Sequence, residues 1–192
     1  LIYGTERRTG DGGELLCASE SGPCFQTGED REVRPEVVGL EVFNLHHSAL
    51  LNDTWLNRIS FLYHRIYGRE LFFFKLWTVD RRYLESWDRA LLRRPVAGIG
   101  GSDAHQNVGL VLKTAAGQQI FSLLLDPYEE SFEAVTTHVL LEEREVVSEA
   151  SILAALARGS AYIAFEKIAD PTGFSFHTRV GGRLYPSGST VG

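Results

Sequence analysis

Val96-Ala97-Gly98-Ile99-Gly100-Gly101-Ser102-Asp103-Ala104-His105 is the stretch from which the fold can be read. Pro95 closes whatever helix precedes it, and Val96 to Gly100 then read as a buried strand running straight into Asp103-Ala104-His105. In barrels and open parallel sheets, ligands bind beyond the carboxyl ends of the strands. A carboxylate and an imidazole two residues apart can turn toward one point if the chain stays extended, and Gly100 and Gly101 allow a tight bend just before them. Both groups suit zinc, manganese or iron. The bland alternative has Asp103 capping a following turn and His105 as an ordinary surface residue.

Upstream, Val37-Val38-Gly39-Leu40-Glu41-Val42-Phe43-Asn44 is a β-branched, apolar run suited to a strand covered on both faces. Glu41 interrupts it, and a charge inside a buried strand needs a partner. Asn44 and His46 follow where that strand should emerge; the alternative leaves Asn44 in a turn and His46 and His47 exposed on a loop. From Asn52 to Tyr67, Trp55, Ile59, Leu62 and Ile66 recur at helical spacing, with Asn52 or Asp53 as the expected cap and Gly68 as the end. A second helix is expected from about Asp80, with Tyr83, Leu84, Trp87, Ala90 and Leu91 on one face. His64 falls on the exposed side of its helix and is given no role.

Downstream, Ile120 to Leu125 reads as a short extended segment and Asp126-Pro127 as the start of a brief helix. Val135 to Leu141 is rich in β-branched residues and should be a strand. His138 lies within it, either bonded to a carbonyl or, less commonly, touching substrate. Ser148 should cap the helix containing Ile152, Leu153 and Leu156, which Gly159 ends; Ala161 to Phe165 is another strand. After Asp170-Pro171, alternation around Phe174, Phe176 and Thr178 followed by Gly181-Gly182 signals a hairpin, with His177 on it. Strands alternating with helices indicate α/β layering. The expected division is an irregular loop or insertion over 1–36, an α/β unit over 37–168, and the start of a β module over 169–192.

Composition bounds the function. The 192 residues are 44% hydrophobic and 23% charged, the balance of a globular protein. A net charge of −6 argues against nucleic acid as a main partner. The basic pairs Arg81-Arg82 and Arg93-Arg94 read as solvated helix ends. No apolar run approaches the roughly 20 residues needed to span a bilayer; the longest, Leu71 to Leu76, contains Lys75. Cys17 and Cys24 can form a disulfide or remain two thiols, and the compartment, cytoplasmic or exported, stays open. The chain contains none of GxSxG, GxxxxGK[ST] or a GxGxxG after a strand. It begins at Leu1 and has no Met, from which an incomplete chain is expected.

Taken together, Gly39-Leu40-Glu41-Val42-Phe43-Asn44 and Ile99-Gly100-Gly101-Ser102-Asp103-Ala104-His105 resemble the later half of the PHP (polymerase and histidinol phosphatase) family. The resemblance covers roughly residues 37 to 180. The tail, "ILAALARGSAYIAFE" then "DPTGFSF", is similar to the end of such domains in larger, sometimes exported, bacterial proteins. The resemblance implies the C-terminal part of a distorted, seven-stranded (β/α) TIM-like barrel, followed by the start of a β module. It implies two or three divalent ions (zinc, manganese or iron) in the complete domain, with Asp103 and His105 as metal ligands. Glu41, Asn44, His46 and His138 are then candidates for orienting those ligands or touching substrate. The family's opening H-x-H motif has no counterpart in this sequence.

The implied function is hydrolysis of a small-molecule phosphoester by metal-activated water. One alternative is a metal-dependent amide or ester hydrolase of the same barrel; another is a non-catalytic barrel serving as a binding module.

Overall fold

A computed structural model of the chain describes residues 6–10, 13–17, 24–27, 33–68, 74, 77–105, 109–124, 127–142 and 144–191. The run Leu71 to Leu76, Phe74 apart, lies outside the described residues, as do Leu125 and Asp126. At the centre is a mixed five-stranded sheet in the order β1-β2-β3-β4-β5. It comprises β1 (Glu6–Gly10), β2 (Gly13–Cys17), β3 (Cys24–Thr27), β4 (Val37–Asn44) and β5 (Ala97–Gly101). The first two pairings are antiparallel; β3–β4 and β4–β5 are parallel.

Three of these strands fall where an irregular loop over 1–36 was expected. Each is four or five residues long, too short for periodicity to show. The turn chemistry was nevertheless present: Gly10 pairs with Gly13, leaving Asp11-Gly12 between them in sequence, a common hairpin dipeptide. Cys24 is disulfide-bonded, and the β2–β3 register sets Cys17, the chain's other cysteine, opposite it.

The apolar run of β4 is covered on both faces. Leu40 and Val42 pack with Ala90 and Val96, while Phe43 packs with Leu45, Ala134 and Val135. Leu40 is fully buried, worth roughly 1.5–3 kcal/mol of transfer free energy. Between β4 and β5 lie α1 (Leu45–Leu51), α2 (Trp55–Tyr67) and α3 (Arg81–Leu91). Tyr83, Ser86 and Ala90, at spacings of three and four, form the buried stripe of α3. Trp87 Nε1 donates to the carbonyl of Val96 at 2.8 Å, fixing how α3 returns into β5. Arg94 is no solvated helix end: its guanidinium donates to the carbonyls of Val37 and Arg34, at the start of β4.

Asn44 does not sit in a turn but caps α1, its Oδ1 accepting from the His47 amide at 2.8 Å; α1 is seven residues, too short to read from periodicity. Thr54, rather than Asn52 or Asp53, caps α2. Asn52 is engaged elsewhere, donating to Ser48 O at 2.8 Å and to Thr78 Oγ1 at 2.7 Å. Ser48 Oγ in turn donates to Thr78 O at 2.6 Å and accepts from Thr78 N at 2.7 Å. These bonds pin both ends of the α2 excursion together. Of the four apolar residues at helical spacing, Leu62 is half-buried while Trp55, Ile59 and Ile66 are exposed.

Beyond β5 come the hairpin of β6 (Gly109–Lys113) and β7 (Gln119–Leu124), then α4 (Tyr128–Ala134). Strand β8 (Thr136–Val139) pairs antiparallel with β9 (Ala161–Ala164), with α5 (Glu149–Ala157) between them. Ser148 caps α5 in a reciprocal capping box with Ser151, and Gly159 ends it at φ +72°. The expected hairpin is β10 (His177–Val180) and β11 (Arg183–Pro186), joined by Gly181 and Gly182, both at positive φ. Among the described residues the strands make this one sheet and three two-stranded pairs, an α/β arrangement without a closed barrel. Nor is any described helix long and apolar enough to cross a membrane.

The β8–β9 pair is fastened to β5 by Thr137, whose hydroxyl accepts from Gly100 N at 2.9 Å and donates to Gly100 O at 3.0 Å. Packing there leaves no room for a side chain. A Cβ at Gly100 would lie 2.6 Å from Ile163 Cγ2 and 3.0 Å from Val135 Cγ2. Gly100→Ala is therefore expected to destabilise the chain by about 1–3 kcal/mol in urea denaturation, the usual cost of overpacking; an unchanged midpoint would contradict this packing.

Candidate functional site

Parallel pairing of β4 with β5 sets Asn44 beside Gly101, so the carboxyl ends of both strands emerge together. Asn44 Nδ2 lies 3.3 Å from Glu41 Oε1 and 3.2 Å from Asp103 Oδ2, and donates to both carboxylates. Glu41 thus has a polar partner within its own strand, as a half-buried carboxylate requires. Gly101 makes the space: a Cβ there would sit 2.9 Å from Glu41 Oε1.

Just past β5 the chain bends at Asp103, which takes φ +47°. Aspartate tolerates this left-handed conformation better than most residues. The bend brings His105 Nδ1 within 2.7 Å of the Asp103 carbonyl and 3.6 Å of Asp103 Oδ1. A carbonyl can only accept, so in this bond Nδ1 is the donor. Histidines that bind a metal commonly donate from one ring nitrogen to a carbonyl or carboxylate in this way. Asp103 and His105 remain 42% and 51% exposed, so a ligand can reach them. The His46 ring lies 5.5 Å from that of His105, and Tyr128 Oη donates to the His105 carbonyl at 3.3 Å.

Of the residues singled out from the sequence, Glu41, Asn44, His46, Asp103 and His105 thus come together at one edge. His138 stands apart from them in its contacts. Its Nε2 meets Glu166 Oε1 at 2.9 Å and its ring stacks on Tyr162. The Thr136 hydroxyl and then His138 hold the Glu166 carboxyl below its ordinary range. A second polar cluster borders the site at α1. His47, half-buried rather than exposed on a loop, places Nε2 3.1 Å from Asp80 Oδ2 and stacks on Tyr83. Asp80 was legible only as the approximate start of a helix, and nothing local to Glu166 or His47 announces their partners, 28 and 33 residues away.

The donor types fit a divalent cation, two carboxylates and two imidazoles being ordinary ligands. Their placement does not complete a site: among the described residues no group of three or more His, Cys, Asp or Glu is placed to hold an ion. An apolar cleft of about 690 Å³, bordered by Trp87, Val96, Tyr162 and Ile163, lies at the opposite, amino-terminal end of β5. No family model matches the chain, and no curated protein or solved structure matches it significantly.

Asp80 caps α3 and binds Arg82, whose guanidinium, ahead of its backbone amide and His47, holds the carboxyl far below its usual range. A carboxyl depressed by folding stabilises fully above its unfolded pKa, about 3.9, and loses that contribution as the pH falls below it. Asp80→Asn keeps a capping oxygen and discards the charge. Its deficit against wild type should be on the order of 1 kcal/mol at neutral pH and should narrow in acid, read by urea denaturation across the range. A deficit independent of pH would show the charge to be irrelevant.

Proposed function

We propose that this chain is the C-terminal part of a PHP-type metal-dependent phosphoesterase, its strands belonging to a distorted (β/α) barrel completed by segments outside the described residues. One observation carries the reading: Asp103 and His105 lie side by side beyond β5, His105 Nδ1 3.6 Å from Asp103 Oδ1, with both side chains open to solvent. Asp103 and His105 would hold the ion, with further ligands supplied from outside the described residues. Asn44 would steady the Asp103 carboxylate through its amide, and Glu41 would act through Asn44. A bound divalent ion would supply an activated water and stabilise charge on the phosphoryl oxygens. The substrate class is then a small phosphoester, admitted from the open side where both ligands are exposed.

The test uses the complete protein with Asp103→Asn and His105→Gln. Asparagine also tolerates positive φ, so Asp103→Asn removes the charge without the backbone strain that alanine would add. Elemental analysis for zinc, manganese and iron is expected to show metal lost. Hydrolysis of para-nitrophenyl phosphate should fall by more than about a hundredfold, beyond what loss of an outer partner costs. Retention of both metal and turnover would overturn the reading, and activity on carboxylic esters alone would assign the chemistry to amide or ester hydrolysis.

A further inference from the structure

Helix α2 is built inside out. A helix on a protein surface ordinarily turns its apolar stripe inward and its polar arc to water. Among the described side chains of the helix Asn57, Ser60, Leu62 and His64 are the half-buried ones, with Asn57 Nδ2 donating to Asn52 O at 2.8 Å. The apolar residues face out: Trp55 is 74% exposed, Leu56 76% and Tyr63 59%, with Ile59, Ile66 and Tyr67 exposed beside them. Spacings of three and four align these into one stripe. At about 20 Å the helix is too short to cross a bilayer core of roughly 30 Å.

Charge selects the occupant. The chain carries −6 overall, yet between Asp53 and Glu70 it has Arg58, Arg65 and Arg69 and no acid. A second copy packed face to face on this helix would bring like charges together, whereas an anionic lipid surface complements them. Tryptophan and tyrosine beside arginine is also the composition of helices lying in a membrane interface. The attachment permits it: the Ser48–Thr78 and Asn52–Thr78 bonds close the base of the excursion, so α2 can meet a surface without disturbing β4 or β5.

We infer that α2 is a membrane-surface helix that lays the Trp55–Ile59–Tyr63–Ile66 stripe into the interface of an anionic phospholipid bilayer. Co-sedimentation of the complete protein with vesicles tests this. Vesicles of phosphatidylcholine mixed with phosphatidylglycerol should bind the chain about tenfold or more tightly than phosphatidylcholine alone, and added salt should erase the difference. Trp55 emission should shift to the blue on binding, a shift that Trp55→Phe removes. Ile59→Glu/Tyr63→Glu, both at exposed positions, should weaken binding by at least about tenfold while leaving the circular dichroism unchanged. Arg58→Glu/Arg65→Glu should abolish the preference for anionic vesicles. The inference fails if wild type binds neither vesicle or if the variants bind as wild type does. It fails equally if light scattering shows a dimer that Ile59→Glu/Tyr63→Glu dissolves, which would assign the stripe to a second copy.

Discussion

The closeness with which β5 is held by its neighbours constrains everything around the candidate site. Strand Ala97–Gly101 has glycine at three of its five positions, and each missing side chain is filled by a neighbour. The Trp87 indole lies 3.0 Å from where a Cβ at Gly98 would be, Ile163 occupies the space at Gly100, and the Glu41 carboxylate that at Gly101. Glycine in a strand costs backbone entropy and offers nothing to pack. That cost is offset because β4, β8 and β9 all close on one strand. Their approach determines where the chain emerges at Ser102 and Asp103.

The polar edge follows from that emergence. Two carboxylates from different strands, Glu41 and Asp103, would repel if brought together without a mediator. Asn44 supplies one, its amide nitrogen donating to both while its amide oxygen caps α1. One side chain therefore fixes the direction of α1, the position of Asp103 and the environment of Glu41. The result is an edge rich in acceptors, partly open to solvent.

What could be read beforehand were the signals contained within a few residues. The β-branched run of β4, the helix start near Asp80, the Ser148 cap, the Gly159 stop and the Gly181-Gly182 turn each carry their own cause. Strands β1 to β3 carry less, since five residues between glycines become strands only through partners elsewhere. The long-range pairs were invisible for the same reason. Arg94 reaches back 60 residues to the Arg34 carbonyl, and His138 finds Glu166 across the β8–β9 pair. Within the candidate site, Asp103 and His105 were legible as a spacing, but the left-handed backbone at Asp103 and the bridging amide of Asn44 were not.

Helix α2 shows the limit of periodicity most plainly. Trp55, Ile59, Leu62 and Ile66 define one face of a helix, but spacing does not say which way that face points. Orientation is decided at the base of the excursion, where Ser48, Asn52 and Thr78 bind one another and Asn57 bonds back to Asn52. Those polar bonds draw the hydrophilic arc inward, and the apolar arc is left outward as a consequence. An exposed stripe of this kind costs free energy in water roughly in proportion to its area, so it persists only where something apolar receives it. The same clamp joins α1, capped by Asn44 at the candidate site, to the segment entering α3. The two ends of the connection between the site-bearing strands are thus tied to each other by hydrogen bonds, which lets the helix meet a surface while the site keeps its geometry.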